Sequence, residues 1–564
     1  MALPRKQPQS SASAANDTFN CVQPSCKKEP WGYGAKSAVP KPTTAVPRNS
    51  SAKSSATDFS MGTLRRKSSL RNCVSVASPS ASGASTALWL SLVFKKNSTN
   101  IVQYRIGPCI QSFRTRKTDR SEKADSLSIE REVRQLLAQK ISGDMMGLWL
   151  LAPEHLRLGT WELLSRWTRQ PVEAVETRLA LQLVHEAALC VTGIRAARSL
   201  NQTGFEVLNG LAFVASDQAV HDLLARHTVA EAETLQVELG LLRRARGHFR
   251  GKLLAIDPHR LRSFTQRQMR RYRGEDQVKP FKTLQTFFCL DADTCQPVCF
   301  TSGSAALSVT QATPALLRLS AAILNPPPKH TLVLADTEHY ATALVDYVVA
   351  QTPFDMLLPM PQGKRTLKEL RLIPETDFIP RWAGLATTKR PYCLKNTLTG
   401  PQVQLVQRSG ERPETYTFKA FLSTRDNDEV DNLTLHFPKR WHVEEFFNAH
   451  QALGWQRAGT LNLNIRYGQM TMALLAQTAI HQLRQRLGSP YATWDAKHLA
   501  RSIFNGIDGD LCVHHDTVVV TLYNAPHPDL LRQHYEHLPE KLAAERVNPH
   551  VPWLFNFKLD FRFR

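Results

Sequence analysis

The chain has 564 residues, a formal net charge of +22 and a pI of about 9.7, so it is long enough for roughly two to four domains and its charge points to a polyanionic partner. Its most apolar run, ALWLSLVF at 87–94, is far short of the roughly 20 residues a membrane helix needs, and the start MALPRKQPQSSASAAND has no apolar h-region. No membrane contact is expected, and the expected location is cytoplasmic. The ten cysteines form no C-x-x-C knuckle with a matching second pair, so zinc is not expected and the thiols should be reduced.

The positive charge is unevenly placed. Residues 1–125 hold 20 Lys/Arg against 6 Asp/Glu, in stretches such as KPTTAVPRNSSAKSSATD that have neither helical nor strand period. This segment is expected to be a disordered basic Ser/Pro-rich tail, either an arm that touches DNA phosphates or an extension without function. Residues 126–245 are expected to be a helical domain. Apolar residues recur at three and four in SIEREVRQLLAQKI, in WELLSRWTRQPVEAVETRLALQLVHEAAL with a break at Gln170-Pro171, and in SDQAVHDLLARHTVAEAETLQVELGLLRRARG. A helix-turn-helix for DNA and an ordinary bundle both fit this pattern.

The texture changes at Gly251. GKLLAID is a short apolar run ending in a carboxylate, and KTLQTFFCLD and QPVCFTS read as two strands joined by ADTC. QATPALLRLSAAIL is helical, and HTLVLADTEHYATALVDYVVAQ reads as strand, acidic residue, helix. Three strands, helix, strand, helix is the order of the first half of a ribonuclease-H-like α/β fold, assigned to 246–353. A β-rich insertion follows at 354–435, with QVQLVQRSG and TYTFKAFLSTRD, and KRPYCLKN is a candidate hairpin contact within it. RWHVEEFFNAHQALGW and YGQMTMALLAQTAIHQLRQRL return to helix, the second half of the catalytic domain at 436–490. In the C-terminal region, 491–564, LCVHHDTVVVTLY reads as a strand or hairpin without a third metal ligand. No P-loop and no G-x-G-x-x-G is found.

Three carboxylates stand out by position: Asp257 and Asp336 at the ends of KLLAID and TLVLAD, and Glu444 on the helix KRWHVEEFF. An aspartate at a strand end often only caps the next turn. If the two strands are neighbours, however, both aspartates reach one sheet edge, and a helix across that edge can add the third. Clustered carboxylates repel one another unless cations neutralise them, and hard divalent ions with oxygen ligands fit such a cluster. Two ions about 3.5–4 Å apart serve phosphodiester displacement. Glu445 leaves the helix about 100° from Glu444 and is expected at a rim or in solvent, while Val443, Phe446 and Phe447 anchor the helix. RLRSFTQRQMRRYRG at 260–274 concentrates charge after Asp257, with Phe264 and Tyr272 interleaved. It is either a track for DNA phosphates, through Arg262, Arg267, Arg270, Arg271 and Arg273, or a solvated loop.

Around Glu444 the sequence resembles the DDE transposases of bacterial insertion sequences, in the IS-four-like group with a β-rich insertion before the last acidic residue. That family's motif reads Tyr, two residues, Arg, three residues, Glu, six residues, Lys; the same spacing here gives Phe437, Arg440, Glu444 and Gln451. Phe437 lacks the hydroxyl, Gln451 lacks the charge, and Asp336 is followed by Thr-Glu-His rather than Arg-Gly. The resemblance covers roughly residues 200–490. It implies a ribonuclease-H-like mixed sheet in which Asp257, Asp336 and Glu444 are catalytic and hold two Mg2+ or Mn2+ ions. Arg440 would approach the DNA backbone or hold the acidic helix. The activity implied is cleavage at the ends of an insertion sequence and strand transfer into double-stranded target DNA, by at least a dimer, in the bacterial nucleoid. A catalytically decayed DNA-binding derivative and a metal-dependent nuclease of the same fold are the alternatives. His339 and His442 are expected to be partly exposed helix residues.

Overall fold

The computed structural model describes residues 126–170, 174–191, 200, 202–263, 266, 268–269, 271–272, 279–304, 306–454 and 462–564. The expectations for 1–125 and for Arg267, Arg270 and Arg273 therefore lie outside the described residues. The described residues form a mixed α/β structure with two sheets. In chain order the strands are β1 (Ile141–Gly143), β2 (Leu253–Arg262), β3 (Arg271–Tyr272), β4 (Phe281–Asp291), β5 (Gln296–Ser304), β6 (Thr331–Leu334), β7 (Phe354–Pro359), β8 (Ile379–Trp382), β9 (Leu385–Tyr392), β10 (Gln402–Ser409), β11 (Thr417–Ser423), β12 (Gly509–His514), β13 (Thr517–Leu522), β14 (His550–Val551) and β15 (Phe557–Phe563).

The larger sheet runs β3-β4-β2-β6-β7-β11-β10-β9-β8, with β5 also paired to β4. β4 is antiparallel to β2 and β5, whereas β2, β6 and β7 are mutually parallel. Both faces are covered, which is why β4 is buried without alternation from Thr283 to Asp291. Alternation assigns the faces. Leu253, Ala255, Phe288, Leu290, Leu332 and Leu334 enter one core with the helices His442–His450 and Leu463–Leu487. Leu254, Ile256, Phe287, Cys289 and Val333 enter the other, with the helices Val309–Leu324 and Thr342–Gln351. Asp257 keeps the parity of Leu253 and Ala255, and Asp336 that of Leu332 and Leu334, so both belong to the face that carries Glu444.

Two expectations change here. Asp257 does not end its strand. β4 pairs with β2 as far as Arg262, while β6 leaves β2 after Ala255, so Asp257 and Pro258 lie where the strand has lost its parallel neighbour. A proline without an N–H is tolerated at such an open edge. Phe354–Pro359, grouped with the insertion by sequence, pairs parallel with β6 and belongs to the central strands. The inserted β8–β11 ribbon then extends the same sheet through antiparallel pairing of β11 with β7.

Ser216 and Thr228 cap the helices Asp217–Arg226 and Val229–Ala245, the second with a full capping box. Helix Val229–Ala245 packs against Val309–Leu324 and Leu463–Leu487. Its close approach to the first depends on Gly240, where a Cβ would lie 2.6 Å from Ile323 Cγ2. The 25-residue helix Leu463–Leu487 is buried on most of its surface and also packs on helix Val175–Ala188. The smaller sheet, β1-β12-β13-β15-β14, takes its first strand from the N-terminal helical region, so that region and the C-terminal strands share one sheet. The expected C-terminal hairpin is β12–β13. Among the described residues no helix is long and apolar enough to cross a membrane.

Candidate active site

The helix that bears Glu444 is fixed from both ends of its first turns. His442 Nδ1–H donates to the Ala292 carbonyl at 2.6 Å, and Lys439 pairs with Asp293 at 2.6 Å, tying the helix start to the β4–β5 turn. Val443, Phe446 and Phe447 are buried, with the Phe447 ring 5.0 Å from Phe288 and 4.4 Å from His259. Burying each phenylalanine contributes about 2–3 kcal/mol. That anchoring leaves Glu444 half-buried and turned to the sheet edge, while Glu445 is exposed, as the helical register requires.

Arg440 occupies the middle of the cluster. Its Nη2 donates to Glu444 Oε1 at 3.0 Å and its Nη1 to Asp257 Oδ1 at 3.4 Å, and the guanidinium lies 4.8 Å from the Trp441 ring centre. Arg440 is buried, with 8% of its surface exposed, so of the two roles expected for it the geometry matches the holding of the acidic helix rather than contact with a DNA backbone. Asp336 lies two residues past β6 and caps the turn Thr337–His339. Its Oδ1 accepts from the Glu338 backbone N–H at 3.0 Å and from His339 Nδ1–H at 2.6 Å. His339 is 2% exposed, which corrects the expectation of a partly exposed side chain: its ring is buried because it orients Asp336. The spacing of three from Asp336 to His339 was the available signal. Arg260, also unanticipated, donates to both oxygens of Glu338, at 3.0 Å for Nη1 on Oε1, and lies over the Tyr272 ring at 4.4 Å.

The charges of Asp336 and Glu444 both act on the Asp257 carboxyl. Burial, then the negative charge of Asp336, push the Asp257 carboxyl up to about 8; Glu444 and Glu338 add to this and Arg440 opposes it. For Asp336, burial is the largest influence and favours the neutral form, but the hydrogen bond and charge of His339, with Arg440, together hold it below the usual carboxylate range. The cluster is short of positive charge by more than Arg440 supplies. Its oxygen donors suit magnesium or manganese in chemistry. Among the described residues, however, no three His, Cys, Asp or Glu side chains are converged as a metal-ligand group.

Of the described residues in the basic stretch, Arg262 at the end of β2 and Arg271 on β3 are exposed, on either side of β4, with Arg262 5.9 Å from the Phe281 ring centre. Phe437, at the motif's tyrosine position, packs edge-on against Phe421 of β11 at 4.8 Å.

No protein-family model matches the chain, and no curated protein matches it. Among solved structures it is similar to a piggyBac transposase in a synaptic complex with hairpin DNA, at 12% identity, covering 65% of this chain and 82% of that one, with a TM-score of 0.36. A likeness of that size carries no argument about this chain, so the functional reading rests on its own residues.

Proposed function

We propose that this protein is a DNA transposase that cuts and joins phosphodiester bonds, with Asp257, Asp336 and Glu444 as its acidic triad. The observation that carries this reading is the placement of the three side chains on one face, where β6 leaves β2 and the Glu444 helix packs, and where burial first, and the charges of Asp336 and Glu444 after it, push Asp257 up to about 8. The order β5-β4-β2-β6-β7, with only β4 antiparallel to its parallel neighbours β2, β6 and β7 within the inner four strands, supports a ribonuclease-H-like assignment. The β8–β11 ribbon fits an insertion ahead of the last acidic residue.

Asp257, Asp336 and Glu444 are the residues that would hold magnesium or manganese. Such ions, when bound, activate an attacking oxygen and stabilise the leaving one. The chain's own side chains prepare the site. His339 fixes one oxygen of Asp336. Arg440 draws Asp257 and Glu444 together and limits their mutual repulsion. Arg262 and Arg271, with Arg267, Arg270 and Arg273, would follow the phosphates of double-stranded DNA. Joining two element ends would require at least two copies of the chain.

A second reading, a DNA-binding protein that has lost catalysis, is favoured by Arg440 standing between Asp257 and Glu444. The deciding experiment incubates the full chain with duplex DNA containing the sequences that flank its gene, with Mg2+, and resolves broken and joined strands on denaturing gels. The transposase reading expects both products with the wild type and neither with Asp336→Asn, which still binds. Breaks without joining would leave a nuclease; binding without breaks would leave the decayed derivative.

A further inference from the structure

At the other end of β2, away from Asp257, lies a cavity of about 540 Å³ that the acidic site does not use. Leu253 and Leu332, paired at the starts of β2 and β6, are among its lining residues. Along a strand rising about 3.3 Å per residue, Asp257 is some ~13 Å further on, so the two sites are separate. Five Lys/Arg side chains line the cavity, namely Arg244, Arg250, Lys252, Arg425 and Lys439, against the single acid Asp293.

Part of this charge is already engaged. Lys439 pairs with Asp293 at 2.6 Å, Arg244 Nη1 donates to the Ile323 carbonyl at 2.9 Å, and Arg425 Nη1 donates to the Lys329 carbonyl at 3.1 Å. Arg425 also pairs with Asp355 at 3.9 Å, so these three side chains have partners of their own that hold them at the cavity. Arg250 and Lys252 are exposed and have no ion pair among the described residues. Like charges brought together around one cavity repel unless an anion separates them, and guanidinium forks match phosphate oxygens. Phe249, Leu324, Pro326 and Pro327 also line the cavity, and the guanidinium of Arg243 lies 4.6 Å from the Phe249 ring centre. A bare inorganic ion would leave these apolar groups unused. A lining that mixes cationic and apolar side chains, in a cavity of small-molecule size, fits a phosphate attached to a base and sugar.

We propose that this cavity binds a nucleotide phosphate, either free or within a nucleic-acid strand. The inference does not depend on the acidic site. Lys439 and Arg440 are adjacent in sequence, one facing each site, so a strand held in the cavity would be anchored beside the segment that leads into the Glu444 helix.

The test uses the full chain with two probes, a fluorescein-labelled 20-base-pair duplex and adenosine monophosphate. Affinities are measured by anisotropy and by calorimetry across a salt series. The variants are Arg250→Glu with Lys252→Glu, and Arg250→Ala with Lys252→Ala. Both positions are exposed and unpaired, and thermal unfolding checks that the fold persists. If a strand is the source, both variants weaken duplex binding by about tenfold or more and make the slope of log K against log salt shallower by about 2, one for each lost phosphate contact. If a free nucleotide is the source, monophosphate binding is lost in the variants while the duplex is unaffected. Unchanged affinity for both probes overturns the proposal, as does a wild type that binds neither. Strand cleavage in the same preparations reports separately on the acidic triad: loss of binding with intact triad chemistry, or the reverse, separates the two readings.

Discussion

Replacing Asp257 by Asn should stabilise the protein at alkaline pH even as it removes a carboxylate from the proposed active site. The folded-state carboxyl titrates at about 8, against 3.8 for the ordinary group, because it is buried and faces Asp336 and Glu444. The sign follows from proton counts. Between pH 3.8 and about 8 the folded protein holds a proton that the unfolded chain has released, so stability is greatest at low pH and falls as pH rises through that window. At about 1.4 kcal/mol per pH unit, the whole window amounts to on the order of 5 kcal/mol for a side chain that keeps only 16% of its exposure. Asn cannot ionise, so its variant lacks this slope; losing the Arg440 contact shifts its curve by a constant and leaves the slope difference intact. Urea titrations of both proteins in EDTA, at pH 5 and pH 8.5, measure the difference directly. The wild type should lose stability relative to Asp257→Asn as pH rises. Parallel stability curves across that range would refute the argument that the three carboxylates share one buried, charge-poor site.

The parts legible in the sequence are those that local periodicity controls. The apolar runs KLLAID and TLVLAD, each closing on a carboxylate, mark two strands, and the 3.6-residue turn of WHVEEFF separates Glu444 from Glu445 while burying Val443 and both phenylalanines. What escaped depends on distant partners. β1 is three residues long, too short for any period, and exists because β12 pairs with it. FDMLLP carries no mark that distinguishes a central parallel strand from an edge of the insertion; only β6 decides it. The placement of Arg440 and His339 was hidden for a related reason. A charged side chain near a carboxylate can face water or face the acid, and the choice is made by packing against β2 and the turn after β6. The basic cavity draws on segments near 250, 293, 325, 425 and 439, which no linear reading brings together.

Other perturbations follow from the same geometry. Burial pushes the His185 imidazole down to about 4 from 6.5, against the hydrogen bond with Asn209, so the unfolded chain takes a proton in that window that the folded one refuses. Stability should be complete above pH 6.5 and decline by about 3 kcal/mol toward pH 4, and urea midpoints should show His185→Gln flattening part of that decline. Glu154 is fully buried and its Oε1 accepts from Arg157, Arg486 and Tyr535 at 2.9–3.0 Å, joining the N- and C-terminal segments. Glu154→Gln removes the fully buried one of the two anions that Arg157 and Arg486 share, Glu545 being the other, and should cost about 3 kcal/mol, so an unshifted urea midpoint would count against that network. The acidic pair on the Glu444 helix supplies its own control. Glu444→Gln keeps the shape of the side chain but removes a carboxylate that faces Arg440 at 3.0 Å and lowers the charge of the site, so Mg2+-dependent strand cleavage should fall on the order of a hundredfold or more. Duplex binding should change little, because the side chain is turned to the other carboxylates rather than to the basic edge. Glu445→Gln makes the same substitution one residue along, where the side chain is exposed and leaves the helix in another direction. It should cleave nearly as the wild type does. A dead Glu445→Gln beside an active Glu444→Gln would place the reacting centre on the wrong face of this helix, and two fully active variants would remove the helix from the mechanism.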